Sequence, residues 1–154
     1  MAGNADDVRV LTVHECFELL RGGEVGRLAI SRPAHPEVFP VNYAVDHGTV
    51  VFRTAPGTKL DALSLERDIT FEVDGYERER GDAWSVIVKG RAERVEAAHE
   101  RFDAVDLPLF PWQTGPKPQF VRVVPVEVTG RRFHAVRRPG TAQIDVSARR
   151  TRDE

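Results

Sequence analysis

Arg53 and Lys59 bracket the segment Thr54-Ala55-Pro56-Gly57-Thr58. Two cations, two hydroxyls and a glycine therefore fall in one short stretch. Glycine lets backbone approach a ligand closely, and a turn that opens into a helix leaves backbone N–H groups without partners. Positive charge with convergent N–H and O–H donors is what a bound phosphate requires. The Gly-x-x-x-x-Gly-Lys spacing of a Walker loop is absent. A surface hairpin that ends in polar residues has the same composition. The segment by itself leaves both readings open.

For the two cations to converge, a strand must deliver Arg53 and a helix must begin near Lys59. The β-rich run 49–54 supplies the strand, and Leu60-Asp61-Ala62-Leu63 reads as the start of a short helix through residue 65. Upstream, residues 38–45 read as a strand joined to 49–54 by the turn Asp46-His47-Gly48. Earlier still, Thr12-Val13-His14-Glu15 has the form of a capping box. Val13, Cys16, Phe17 and Leu20 mark one helical face, which Gly22-Gly23 ends. Residues 25–30 alternate as a half-buried strand, and 32–37 read as a loop. Downstream come a strand at 69–74, a turn at Arg80-Gly81-Asp82 and a long strand at 84–95. Gly90 in that strand predicts a bulge or a close backbone approach. A helix at 97–105, a proline-rich loop at 107–118 and a last strand at 120–129 follow, with 131–136 as its extension past Gly130.

About six strands joined mostly by tight turns, with a few short helices, predict a mainly β protein: an antiparallel β-barrel. Residues 1–136 form one domain, and the basic segment 137–154, without apolar periodicity, reads as a flexible tail.

Composition narrows the class. The chain has 154 residues, 41% apolar and 30% charged, which suits one soluble domain with a core. A net charge of −2 gives no field for polyanions as a whole. The tail arginines lack interleaved aromatics for stacking bases, so no nucleic-acid partner is expected. Cys16 stands alone, which excludes a disulfide framework and a zinc cluster and fits a reducing cytoplasm. The first residues lack the basic and apolar parts of a signal peptide, and no run has membrane-span length, so no membrane partner is expected. The five histidines show no metal-ligand spacing, and no nucleophile motif is present, so no metal site and no catalytic residue is assigned.

Other positions bear on ligand binding. Pro40 inside a strand marks an edge or bulge with free backbone groups, which can pair with the polar edge of a flat heterocycle. Beside it Val41 is apolar, Asn42 offers donor and acceptor, and Tyr43 offers a ring face. A plain edge strand is the alternative. Trp84, before Ser85, fits core or interface packing better than a ligand platform. Trp112, with Phe110 and Pro111, is aromatic surface in a loop that needs a partner or ligand to bury it. Cys16 fits an inert core thiol, and 77–80 a solvated hairpin tip.

Three of these segments, in this order, resemble the pyridoxamine-phosphate-oxidase-like split β-barrel flavoproteins. Residues 38–45 are similar to the strand that runs along the flavin ring. Residues 52–59 are similar to the phosphate segment, with its Thr, then Gly or Ser, then Lys. Residues 84–92 are similar to the following core strand, with its Val-x-x-Gly-x-Ala/Val pattern. The resemblance spans roughly residues 12–132 and tips the 53–59 segment toward a phosphate site. It implies a six-stranded split barrel, a homodimer, and flavin mononucleotide (FMN) in a groove between subunits. Arg53, Thr54, Gly57, Thr58 and Lys59 would hold the phosphate. Pro40, Val41, Asn42 and Tyr43 would line the ring and ribityl chain. Ser85 and Trp84 would touch the flavin from the long strand, and Trp112 would close the groove from the second subunit.

The expected activity is that of a flavin-dependent oxidoreductase, passing hydride between a reduced nicotinamide or similar donor and a small molecule. A reductase using the deazaflavin coenzyme F420 in the same groove is the alternative, with Arg53, Lys59 and Arg131-Arg132 serving its acidic tail. A non-catalytic flavin-binding protein is the third reading. The vitamin-B6 oxidases end in an Arg-Leu-x-Pro-type segment, whereas this chain has Val128-Thr129-Gly130-Arg131-Arg132. Oxidation of pyridoxamine phosphate is therefore not expected.

Overall fold

The computed structural model describes residues 8–54, 57–95 and 119–134. The proposed helix at 97–105, the loop at 107–118 with Trp112, and the tail 137–154 lie outside the described residues.

The chain runs β1 (Arg9–Val10), α1 (Val13–Gly22), β2 (Val25–Ile30), β3 (Glu37–Asp46), β4 (Thr49–Thr54), α2 (Thr58–Leu65), β5 (Asp68–Glu77), β6 (Asp82–Arg94) and β7 (Gln119–His134). All strand pairings are antiparallel, in the order β1-β7-β4-β3-β2-β5-β6. A further β6–β7 pairing joins the two sides, so the six long strands close into a barrel. Closure leaves few bare sheet edges. The two-residue β1, which the sequence reading lacked, pairs with Arg131 and Arg132 of β7.

Alternation turns one face of each strand inward. Leu28, Ile30, Val50, Phe52, Phe71, Val86, Val88 and Val123 are fully buried, and each such side chain contributes about 1.5–3 kcal/mol. The hairpin β3–β4 turns through His47 at φ 46° and Gly48 at φ 72°, the left-handed pair that a two-residue hairpin needs. The ladder between β6 and β7 shifts at Lys89/Gly90, where a Cβ would collide with the Val124 carbonyl. The expected bulge and close approach at Gly90 are both present.

The helices close opposite ends. α1 packs Cys16 and Leu20 into the core, where Cys16 lies over Gly130 of β7. Burial, with the charge of Glu15, raises the thiol's pKa, as an inert core cysteine requires. α2 connects β4 to β5 and buries Ala62 and Leu63 at the end where β6 finishes and β7 begins.

Candidate functional site

The barrel wall splits between β3 and β4. Their ladder runs from Asp46↔Thr49 to Tyr43↔Phe52 and stops there. Beyond it, among the described residues, β3 pairs only with β2, from Asn42↔Val25 to Glu37↔Ile30, while Arg53 and Thr54 of β4 pair only with Phe120 and Gln119 of β7. The Tyr43 N–H donates to the Glu24 carbonyl at 3.0 Å. In an antiparallel ladder that parity turns the peptide groups of Val38, Pro40 and Asn42 away from β2, toward the open side. Proline is tolerated at 40 because the N–H it lacks would point into the split. The expected free edge at Pro40 and Asn42 is thus present.

The same alternation corrects two assignments, since the side chains of Val41 and Tyr43 do not line a ligand. Val41 and Tyr43 point into the core, at 4% and 3% exposure. The Tyr43 hydroxyl donates to the Leu20 carbonyl at 2.6 Å, and its ring packs edge-on against Phe71 at 5.0 Å. Burial, against a smaller opposing effect from Arg27, pushes its pKa up to about 12. Tyr43 therefore offers no ring face to a ligand; it closes the end of α1.

The phosphate segment lies across the split. Thr54 is buried at 6% exposure, and Arg53 is half-buried on the strand's other face. Gly57 is the N-cap of α2 at φ 157° and ψ −159°, a region open only to glycine. A Cβ there would meet nothing within 4 Å, so backbone strain and not crowding selects the residue. Among the described residues no side chain caps α2. The Asp61 N–H reaches the Gly57 carbonyl at 2.9 Å, so the N–H groups of residues 58–60, in the first turn, precede the first intrahelical bond. Lys59 extends from this turn to β3, with Nζ 5.8 Å from the centre of the Phe39 ring. Burial lowers its pKa. Among the described residues neither Arg53 nor Lys59 has a carboxylate partner. Among the described residues the first-turn N–H groups, Lys59 beside them and the open space at the Gly57 Cβ position fit a phosphate group, with Arg53 at the end of β4 as a second cation. The exposed Asp61 in the same turn offsets part of that field.

Other assigned residues stand apart. Trp84 and Ser85 pair with Arg132 and Arg131 at the far end of β7 from Phe120, the partner of Arg53. From residue 120 to 131 the strand extends about 36 Å. Within one chain these residues do not meet the phosphate segment. Trp84 packs over Gly75, where a Cβ would lie 2.5 Å from its indole, in keeping with a packing role. Ser85 is half-buried on the opposite face of β6. Arg131 and Arg132 share that far end and so do not adjoin Arg53 and Lys59. Phe39, which the sequence reading did not single out, contacts Lys59; an aromatic beside the strand proline was its only signal. Among the described residues no group of three His, Cys, Asp or Glu is placed to hold a metal, and no helix is long and apolar enough to cross a membrane.

Comparison with known proteins places the family and the fold. The family model described as pyridoxamine 5'-phosphate oxidase matches residues 12–132. The solved FAD binding protein of Mycobacterium smegmatis superposes with a TM-score of 0.71 at 38% identity, covering 81% of this chain and 99% of that one. A FAD-binding protein of Mesorhizobium loti gives a TM-score of 0.71 at 26% identity, covering 82% and 99%. An uncharacterized protein of Mycobacterium tuberculosis H37Rv is 39% identical over 95 residues, 62% of this chain and 84% of that protein.

Proposed function

The chain belongs to the pyridoxamine 5'-phosphate oxidase family, and on that premise we propose that it is a flavin-binding protein of the oxidoreductase type. The observation that carries the proposal is the α2 N-terminus, uncapped among the described residues, with Lys59 reaching from its first turn to Phe39 of β3 beyond the point where the β3–β4 ladder stops. The relatives that bind FAD support the ligand class.

A flavin phosphate would lie on the first turn of α2, with Arg53 and Lys59 as its cations. Charge-assisted hydrogen bonds from both are stronger than neutral ones. Burial matters for Lys59, because an ammonium partly removed from water gains more from a dianion. The peptide groups of Val38 and Asn42 and the carbonyl of Pro40 would pair with the ring's polar edge. When bound, the flavin supplies hydride transfer. The chain's part is to hold the phosphate, orient the ring along β3 and leave one ring face open. No protein nucleophile is required.

On the outer side of β3 Val38, at 60% exposure, stands beside the exposed Pro40. A second copy of the chain would cover this face and could bring Trp84 and Ser85 to the ring. We therefore include a homodimer in the proposal. If the groove is shared, ligand and dimer stabilise each other by mass action, about 2.7 kcal/mol at a hundredfold excess over the dissociation constant.

The absorbance spectrum of the purified protein tests the reading, followed by titration with FMN and FAD and reduction with a hydride donor. Flavin bands that bleach on reduction are expected. Colourless protein that ignores both flavins overturns it.

A further inference from the structure

A second group of cations occupies the same end of the barrel. Arg67 from the α2–β5 connection and Arg91 and Arg94 from the end of β6 line a cavity of about 570 Å³, within the size range of ligand sites. Its apolar part comes from Leu63 of α2 and Val121 of β7. The Ala92 N–H donates to the Arg67 carbonyl at 2.8 Å, and Arg91 stands opposite Asp68, so two of the arginines spring from adjacent backbone. Among the described residues none of the three guanidiniums has a hydrogen bond or ion pair. Against the one carboxylate of Glu93, they leave an excess of two positive charges around the cavity. Like charges gathered in a concave site repel one another until an anion joins them.

Position gives this cluster its meaning. Arg53 stands opposite Phe120 on β7, and the next residue, Val121, stands opposite Arg94 on β6. The phosphate segment and the arginine cavity are thus two strand spacings apart, about 10 Å. α2 leads from one to the other: Gly57 caps its start and Leu63 reaches the cavity. A mononucleotide ends at the first phosphate. A ligand that continues past it along α2 arrives at the arginines.

We infer that the cavity is a second anion subsite, which takes the charged extension of a flavin-type ligand beyond its first phosphate. This rests on the flavin reading above. Two extensions share that chemistry: the adenylate half of FAD and an acidic carboxylate tail such as that of the deazaflavin coenzyme. Guanidinium planes pair bidentately with phosphate or carboxylate and also stack on adenine. The FAD-binding relatives favour the first source.

The test is titration calorimetry on the full-length protein with FMN, FAD, ADP and a triglutamate peptide, in wild type and in Arg91→Gln/Arg94→Gln. FAD is expected to bind wild type more tightly than FMN. The double variant should lose about tenfold or more of its FAD affinity, with FMN affinity unchanged within twofold. ADP binding lost in the variant assigns the adenylate source; triglutamate binding lost in the variant assigns the acidic tail. Arg67→Gln, outside any strand, repeats the measurement if the double variant does not fold. If wild type binds neither FMN nor FAD, the flavin reading falls, and ADP and triglutamate alone decide the subsite. The subsite is overturned if neither probe binds and FAD is no tighter than FMN. It is equally overturned if the variants bind every probe as wild type does.

Discussion

The two helices begin in opposite ways. At α1 the Thr12 hydroxyl accepts from the Glu15 N–H at 3.2 Å, and the Glu15 carboxylate accepts from the Thr12 N–H at 2.8 Å. The helix start is closed by its own residues, and Arg9 covers the carboxylate at 2.7 Å. At α2 the cap is Gly57, which has no side chain to give, in a conformation that other residues avoid. One terminus satisfies its N–H groups locally and serves the fold. The other has no side-chain cap among the described residues, and it is the terminus proposed to take the anion.

This contrast can be broken in four ways. Replacing both cations, Arg53→Ala/Lys59→Ala, is expected to cost flavin binding about 3–6 kcal/mol, roughly a hundredfold to ten-thousandfold or more in affinity. Thermal unfolding of the ligand-free protein should hardly move, because neither side chain has a carboxylate partner among the described residues; loss of fold in both single variants would make them structural instead. Next comes pH. Lys59 binds an anion only while protonated, and burial lowers its pKa. Flavin affinity should therefore fall as pH rises through that lowered pKa, before the ordinary lysine range, and Lys59→Arg should flatten the profile in a fluorescence titration. Third, Gly57→Ala forces a side chain onto a glycine-only backbone, a strain of about 1–3 kcal/mol. Equilibrium binding should weaken by up to about a hundredfold. Unchanged affinity would show that the turn adapts and that its geometry is not what holds the phosphate. Last, Thr12→Ala removes the cap of α1 and should lower stability by about 1 kcal/mol in denaturant melts, with flavin affinity unchanged. A loss of affinity there would erase the distinction between the two termini.

Much of this was legible because it is local. The capping box lies within four consecutive residues, and the β3–β4 turn announces itself as His47-Gly48 between alternating strands. Gly90 marked its own bulge. Local signals failed where one residue type serves two ends. Tyr43 next to Asn42 looked like a ligand platform, but strand parity turned its ring inward, to a carbonyl at the end of α1. Trp84 and Ser85 matched the family pattern in sequence, yet β7 is long enough to hold them at the far end from Arg53. Arg131 and Arg132 went with them. The arginine cavity had no sequence signature at all, since Arg67, Arg91 and Arg94 are ordinary charges at element ends until the barrel closes.

The sequence by itself determined the long strands, the two helices of the described residues, the turns and the cations on either side of Gly57. These follow from side-chain periodicity and backbone preference, which act over a few residues. Only the tertiary structure decided where the β3–β4 ladder stops, which face of β3 meets the split, and that three distant arginines share a cavity beside α2. Those depend on the register and closure of the barrel, set by packing between segments far apart in the chain, and no single segment carries that information.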